Sequence, residues 1–209
     1  MKFIELLSIV GGETVFTTGL LLAGDVSPEA VRLQLSRWVS EGRILRLRRG
    51  LYTLAAPYAT VPPEPFVIAN AMERSSYVSC QSALEWHGLI PEAAPTVVSV
   101  TPGRPCVVEN DLGSFIYRHL KPSLLWGFRN EEMGEGRTVR IAEPEKALLD
   151  LAYLEPGGDS MRYMEHLRLQ NLQALDNRTL LAYAGRWGRP KITRAAKTAL
   201  RIQREETHP

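Results

Sequence analysis

The stretch from Ser27 to Leu54 constrains this chain most, because it pairs a strongly punctuated helix with an arginine-rich alternating run. Ser27 suits a helix N-cap, Pro28 the first helical position, and Glu29 the positive end of the helix. The helix they open runs to about Glu41, where Gly42 ends it. Helical spacing puts Val31, Leu35, Trp38 and Val39 on one side, and Glu29, Arg32, Leu33, Ser36, Arg37 and Ser40 on the other. From Arg43 to Arg48 basic and apolar residues alternate. Arg48-Arg49-Gly50 makes a turn, and Leu51 to Leu54 returns. This predicts a β-hairpin with arginines at its tip.

Upstream, Phe3, Ile4, Leu6, Leu7 and Val10 give residues 2–10 a helical pattern that Gly11-Gly12 ends. A short second helix is predicted, capped by Thr17 or Thr18, filled by Leu20 to Ala23 and stopped by Gly24. Asp25-Val26 then makes a turn. Helix, turn, helix and basic hairpin, in that order, are the parts of a winged helix-turn-helix. It is expected over residues 1–56. Pro57, Pro62, Pro63 and Pro65 predict a stiff linker over residues 57–65.

Residues 66–209 read as a mixed α/β domain. Helices are predicted near 65–74, 79–87, 143–154, 160–169, 177–187 and 193–204. Strands are predicted at 96–101, 115–120, 124–128 and 138–141. The expected fold class is therefore α+β: an N-terminal winged helix-turn-helix followed by a mixed α/β C-terminal domain. Neither a repeat nor a low-complexity tract is evident.

Charge is segregated along the chain. From Arg32 to Arg49 there are six arginines against one acid, Glu41; from Arg186 to Arg204 there are seven basic residues and no acid; residues 61–185 hold 11 basic and 16 acidic side chains. Such segregation implies a polyanionic partner touched at two places. On the last predicted helix, Lys191, Arg194, Lys197, Arg201 and Arg204 recur every three or four residues and form one stripe, while Ile192, Ala195, Ala199 and Ile202 fall on another side.

Other classes are disfavoured. The chain of 209 residues, 44% hydrophobic and 23% charged, can bury a core without a disulfide or metal. The apolar run Phe3 to Val10 contains Glu5, is far shorter than a membrane span needs, and lacks the basic flank and small-residue cleavage site of a signal peptide, so the cytoplasm is expected. Cys80 and Cys106 are far apart and read as reduced, buried thiols. His87, His119, His166 and His208 show no metal-ligand spacing, and His87, before Gly88, reads as a helix-end or packed residue. Phosphate-binding and nucleophile-elbow motifs are absent. The tightest acid/base group is Glu143-Pro-Glu-Lys-Ala-Leu-Leu-Asp150. There Lys146 and Asp150, one helical turn apart, can pair, and Glu143 and Glu145 suit a helix start. One helix alone does not converge two carboxylates on a substrate, so this group reads as structural. No cofactor is expected.

Three segments together resemble the abortive-infection antitoxins of the AbiEi type. They are Arg46-Leu-Arg-Arg-Gly-Leu-Tyr52, Ser79-Cys-Gln-Ser-Ala-Leu-Glu-Trp-His-Gly-Leu-Ile-Pro91 and Ala142-Glu-Pro-Glu-Lys-Ala-Leu-Leu-Asp150. Each is weak alone; their order and spacing match across most of the chain. The resemblance implies a winged helix that binds inverted repeats near its own promoter. It also implies an antitoxin domain countering a nucleotidyltransferase-like toxin of a type IV toxin-antitoxin pair. Antitoxicity in that family is described as not requiring a stable complex, so the toxin is a functional and not necessarily a physical partner.

The resulting expectation is a non-enzymatic antitoxin and transcriptional autorepressor acting on double-stranded DNA. Arg48 and Arg49 should meet phosphates, with Arg43 and Arg46 beside them on the hairpin. Arg32, Ser36 and Arg37 should face the major groove. Ser27 and its helix N-terminus should hold a phosphate. Lys191, Arg194, Lys197, Arg201 and Arg204 should extend the contact. Two alternatives stay open: a winged-helix regulator with a sensor domain and no toxin, and an enzyme acting on nucleic acid through its C-terminal domain.

Overall fold

Local punctuation sets the first elements of the chain. They are α1 (Phe3–Val10), β1 (Phe16–Thr17), α2 (Thr18–Leu21), α3 (Pro28–Ser40), β2 (Ile44–Arg48) and β3 (Leu51–Leu54). The computed structural model describes residues 1–22, 26–91, 96–134 and 136–207. Ala23, the stop at Gly24, the first turn residue Asp25, and His208 lie outside the described residues. Thr17 caps α2 by accepting a hydrogen bond from the Leu20 N–H, and Ser27 caps α3 by accepting from the Ala30 N–H. The three strands form an antiparallel sheet in the order β1-β3-β2. Leu6, Val10, Leu21, Val31, Leu35 and Trp38 from the helices meet Phe16, Ile44 and Leu54 in one small apolar core. Val39 is half-buried and packs against it.

The rest of the chain is built on a second sheet. Its elements are α4 (Pro65–Met72), β4 (Tyr77–Val78), α5 (Cys80–Trp86), β5 (Thr96–Thr101), β6 (Cys106–Asn110), β7 (Gly113–His119), β8 (Phe128–Glu132), β9 (Thr138–Ala142), α6 (Pro144–Leu154), α7 (Met161–His166), α8 (Asn177–Trp187) and α9 (Pro190–Thr207). The strand order is β6-β7-β5-β4-β9-β8. The pairs β5/β7 and β4/β9 are parallel and the others antiparallel. β5 reads Thr-Val-Val-Ser-Val-Thr, a β-branched run that suits a pleated surface covered by side chains. α6 is buried over most of its length, between α5, α8 and α9. The fold is thus mixed α+β.

The two cores touch through the hairpin. Leu47 of β2 and Leu51 of β3 belong to the large apolar cluster and not to the small one. Asn110, at the end of β6, donates its side-chain amide to the Leu47 carbonyl at 3.2 Å. One face of the hairpin is therefore packed inward, and its other face is left for solvent or a partner.

Several sequence expectations change. The expected strand at 124–128 is a 3-10 turn, Pro122–Leu124, followed by Gly127 at φ +70°. A Cβ at Gly127 would also lie 3.1 Å from the Lys146 side chain, a tight contact added to the strain of the positive φ. Cys80 is buried, but Cys106 is exposed on the edge strand β6, contrary to the expectation of two buried thiols. His87 ends α5 and its Nε2 lies 2.8 Å from the Ala142 carbonyl, as a packed helix-end residue should. Among the described residues no helix is long and apolar enough to cross a membrane, and no His, Cys, Asp and Glu side chains gather in a metal-binding group.

Candidate functional site

The arginines of α3 and the hairpin do not all gather in one place. Arg32 and Ser36 of α3, Arg46 of β2, Arg49 and Gly50 at the hairpin tip, Thr18 of α2 and Tyr52 of β3 line one open groove of about 590 Å³. Three guanidinium groups and three hydroxyls converge there. The Thr18 N–H donates to the Gly50 carbonyl at 2.9 Å, which draws the start of α2 against the hairpin tip. Arg46 and Tyr52 are direct cross-strand partners, so they arrive together. Thr18 and Tyr52 were not anticipated from the sequence. The hairpin register carried the signal for Tyr52; the long-range pairing of Thr18 had none.

Arg48 leaves this group. A register shift lies between Arg46 and Arg48, where Arg46 faces Tyr52 and Arg48 faces Leu51. Plain alternation would put Arg46 and Arg48 on one face, and a β-bulge undoes it. The Arg48 charge instead acts on the Tyr117 phenol of β7. Burial, the larger effect, pushes that phenol well up, and Arg48 pulls it part of the way back. The expected Arg48–Arg49 pair is therefore split, with Arg49 alone at the groove.

Arg43 is also held elsewhere. Its Nε lies 2.9 Å from Glu41 Oε2 and its guanidinium sits 5.0 Å from the Phe3 ring centre. Ser27 is committed to its own helix. It accepts from the Ala30 N–H at 3.3 Å and donates to Glu29 Oε2 at 3.0 Å. The Glu29 carboxyl is lowered by its own backbone N–H, then by Ser27, with Arg32 a smaller contribution. A carboxylate thus already serves the positive end of α3, which removes the basis for a phosphate site at Ser27. Arg37 and Leu33 are exposed on α3, on the other side of the helix from Val31, Leu35 and Trp38.

The basic stripe of α9 is divided as well. Lys191 is half-buried and donates to the carbonyls of Tyr153 at 3.2 Å and Glu155 at 2.6 Å, closing the C-terminal end of α6. Arg194 meets Asp159 at 2.7 Å, and Arg201 lies 3.7 Å from Glu205. Lys197 and Arg204 are exposed. The packing side is as expected: Ile192, Ala195 and Ala199 are buried, with Ala196 beside them.

The Lys146–Asp150 pair lies in the core. Both side chains are fully buried and hydrogen-bonded to each other. Asp150 also accepts from Ser79 at 2.7 Å and from Tyr77 at 3.0 Å, and Lys146 donates to the Tyr77 hydroxyl at 2.9 Å. The ammonium lies 4.4, 5.0 and 5.5 Å from the ring centres of Trp187, Trp126 and Tyr77. Burial lowers the lysine and raises the aspartate, and their mutual attraction opposes both shifts. Glu145 accepts from the Asp176 N–H at 2.7 Å, and Glu143 accepts from the Tyr183 hydroxyl. The strongest acid/base group of the sequence is therefore sealed by its own hydrogen bonds and rings, and a substrate cannot reach it.

Helices α1 to α3 with a basic hairpin, joined to a mixed sheet, define a class that known proteins share. Residues 15–55 match the family model described as "Transcriptional regulator, AbiEi antitoxin". The resemblance to AbiEi-type antitoxins therefore holds over a segment that includes all of α3 and the hairpin. The fold is similar to that of the RV2827C protein from Mycobacterium tuberculosis. Its crystal structure superposes with a TM-score of 0.58 at 12% identity, over 94% of this chain and 75% of that one. No curated protein matches the sequence significantly.

Proposed function

We propose that the chain is a DNA-binding transcriptional autorepressor and the antitoxin of a pair whose toxin is nucleotidyltransferase-like. Residues 1–56 are its DNA-binding domain, a winged helix-turn-helix with α3 as recognition helix and the β2–β3 hairpin as wing. Residues 57–65 are the linker, and residues 66–209 the antitoxin domain. The observation that carries the DNA reading is the groove between α3 and the wing, where Arg32, Arg46 and Arg49 meet the hydroxyls of Thr18, Ser36 and Tyr52. Converging guanidinium groups suit a backbone phosphate, and a helix presented beside them suits the major groove. Arg37 and Ser36 are the polar side chains best placed on α3 to meet base edges. Lys197, Arg201 and Arg204 extend the footprint from α9. Lys146 and Asp150 are sealed in the core, which supports a protein that works by binding.

The test is a salt titration of binding to duplexes from the DNA upstream of its own reading frame and to random duplexes. Arg46→Ala and Arg49→Ala should each lower the slope of log affinity against log salt by about one. Unchanged slopes for both would remove the groove from the interface. The antitoxin reading is tested by co-expression with the neighbouring gene product. Growth should fail with that product alone and recover with this chain, and recovery should survive Arg46→Ala if neutralisation is separate from DNA binding.

A further inference from the structure

Leu33 stands in the middle of the exposed face of α3, and 55% of it is open to solvent. A single exposed leucine is ordinary on a protein surface. This one has a particular setting. It shares an open apolar hollow of about 280 Å³ with Val26, Ala30 and Val31, and Arg37 lies on the wall of the same hollow. Val26 is itself 45% exposed. Arg37 is one helical turn beyond Leu33, so their side chains emerge side by side.

We propose that Leu33 reads the C5 methyl group of a thymine in the major groove, next to a guanine met by Arg37. This rests on the DNA reading of α3 given above. Thymine's methyl is the apolar feature of the unmodified major groove, and a hollow walled by Leu33, Val26 and Ala30 offers it matching surface. The forked donors of Arg37 match the two acceptors, N7 and O6, of guanine. The two contacts together select a thymine adjacent to a guanine, and neither depends on the phosphate groove on the wing side of α3. The phosphate contacts of Arg32, Arg46 and Arg49 and this thymine–guanine contact thus sit on opposite flanks of the same helix.

The experiment uses the full chain and a pool of random duplexes, from which the preferred site is selected. That site is then synthesised with each thymine replaced in turn by deoxyuridine, which removes the methyl and keeps the base pair. At one position beside a guanine, replacement should weaken binding by the parent protein about fourfold, the effect of one buried methyl-sized group. Leu33→Ala should bind the thymine and deoxyuridine forms equally, and its exposed position leaves the fold unaffected. Two outcomes overturn the proposal. Either no replacement changes affinity by as much as about 1.5-fold, or Leu33→Ala keeps the parent's preference for the methylated base. If no duplex is enriched at all, the DNA reading itself fails, and this proposal fails with it.

Discussion

The two parts of this molecule treat charge in opposite ways. In the first 55 residues no described charged side chain is buried, and the small core is apolar, with Thr14 and Thr53 the buried polar residues beside it. Beyond residue 65, Glu145, Lys146 and Asp150 are buried, and much of the basic stripe on α9 is engaged by the chain's own oxygen atoms. Arginines that line an open groove remain available to a ligand. A lysine that closes a helix end does not. Positive charge clustered in two stretches of sequence therefore predicts two different properties, binding in one and stability in the other.

The largest effect that could break this contrast lies at Asp150. Asp150→Ala leaves Lys146 buried without its carboxylate, and should destabilise the protein by about 3–5 kcal/mol. Replacing both, Lys146→Met with Asp150→Leu, should recover only part of that loss: the three rings around the ammonium accept an apolar group, but the Ser79 and Tyr77 hydroxyls lose their acceptor. Urea unfolding of the three proteins decides it. A loss below about 1 kcal/mol in the single variant would mean that the pair is not what holds α6 to β4.

Next in size is Lys191. Its two carbonyl acceptors belong to the last turn of α6 and the residue after it. Lys191→Met keeps the aliphatic stem and removes both hydrogen bonds. Stability should fall by about 1–3 kcal/mol, while duplex affinity stays within about twofold. A loss of affinity with no loss of stability would reverse the assignment and return Lys191 to the DNA-binding stripe.

Strong local punctuation made part of this fold legible. Ser27-Pro28-Glu29 fixed the start of α3, and Asp176 with Gly188 bracket α8 as a cap and a left-handed stop. The two-residue strands β1 and β4 carry no periodicity, because they exist only through distant partners. β6 was missed although Asn110-Asp111-Leu112-Gly113 is a fair turn signal, and its strand pairs across that turn with β7. Within the site, helical spacing was enough to place Arg32 and Ser36. The bulge that separates Arg46 from Arg48 is a property of pairing and has no mark in a single strand's sequence.

That bulge sharpens the contrast at single-residue scale. Arg49→Ala should lower duplex affinity by about five- to tenfold at ~0.1 M salt and the salt slope by about one. Arg48→Ala should change affinity by less than about twofold, because Arg48 lies past the bulge and does not line the groove. Equal losses for the two variants would restore the hairpin tip as a single contact surface.

The smallest effect expected is on α9, and it asks whether any of that helix belongs to the binding half of the contrast. Lys197 and Arg204 are exposed, and Arg201 meets Glu205 only at 3.7 Å with both side chains open to solvent. An exposed pair of that kind is worth little, so Arg201 can leave Glu205 for a phosphate. Changing Lys197, Arg201 and Arg204 together to Glu leaves Ile192, Ala195, Ala196 and Ala199 in place, so thermal unfolding should match the parent. Any contact made by such exposed side chains is screened over about 10 Å at 0.1 M salt. The triple variant should then shorten the protected footprint by a few base pairs and lower the salt slope by about one to two, leaving sequence preference intact. A full-length footprint and an unchanged slope, in a protein that still melts like the parent, would assign α9 to stability alone.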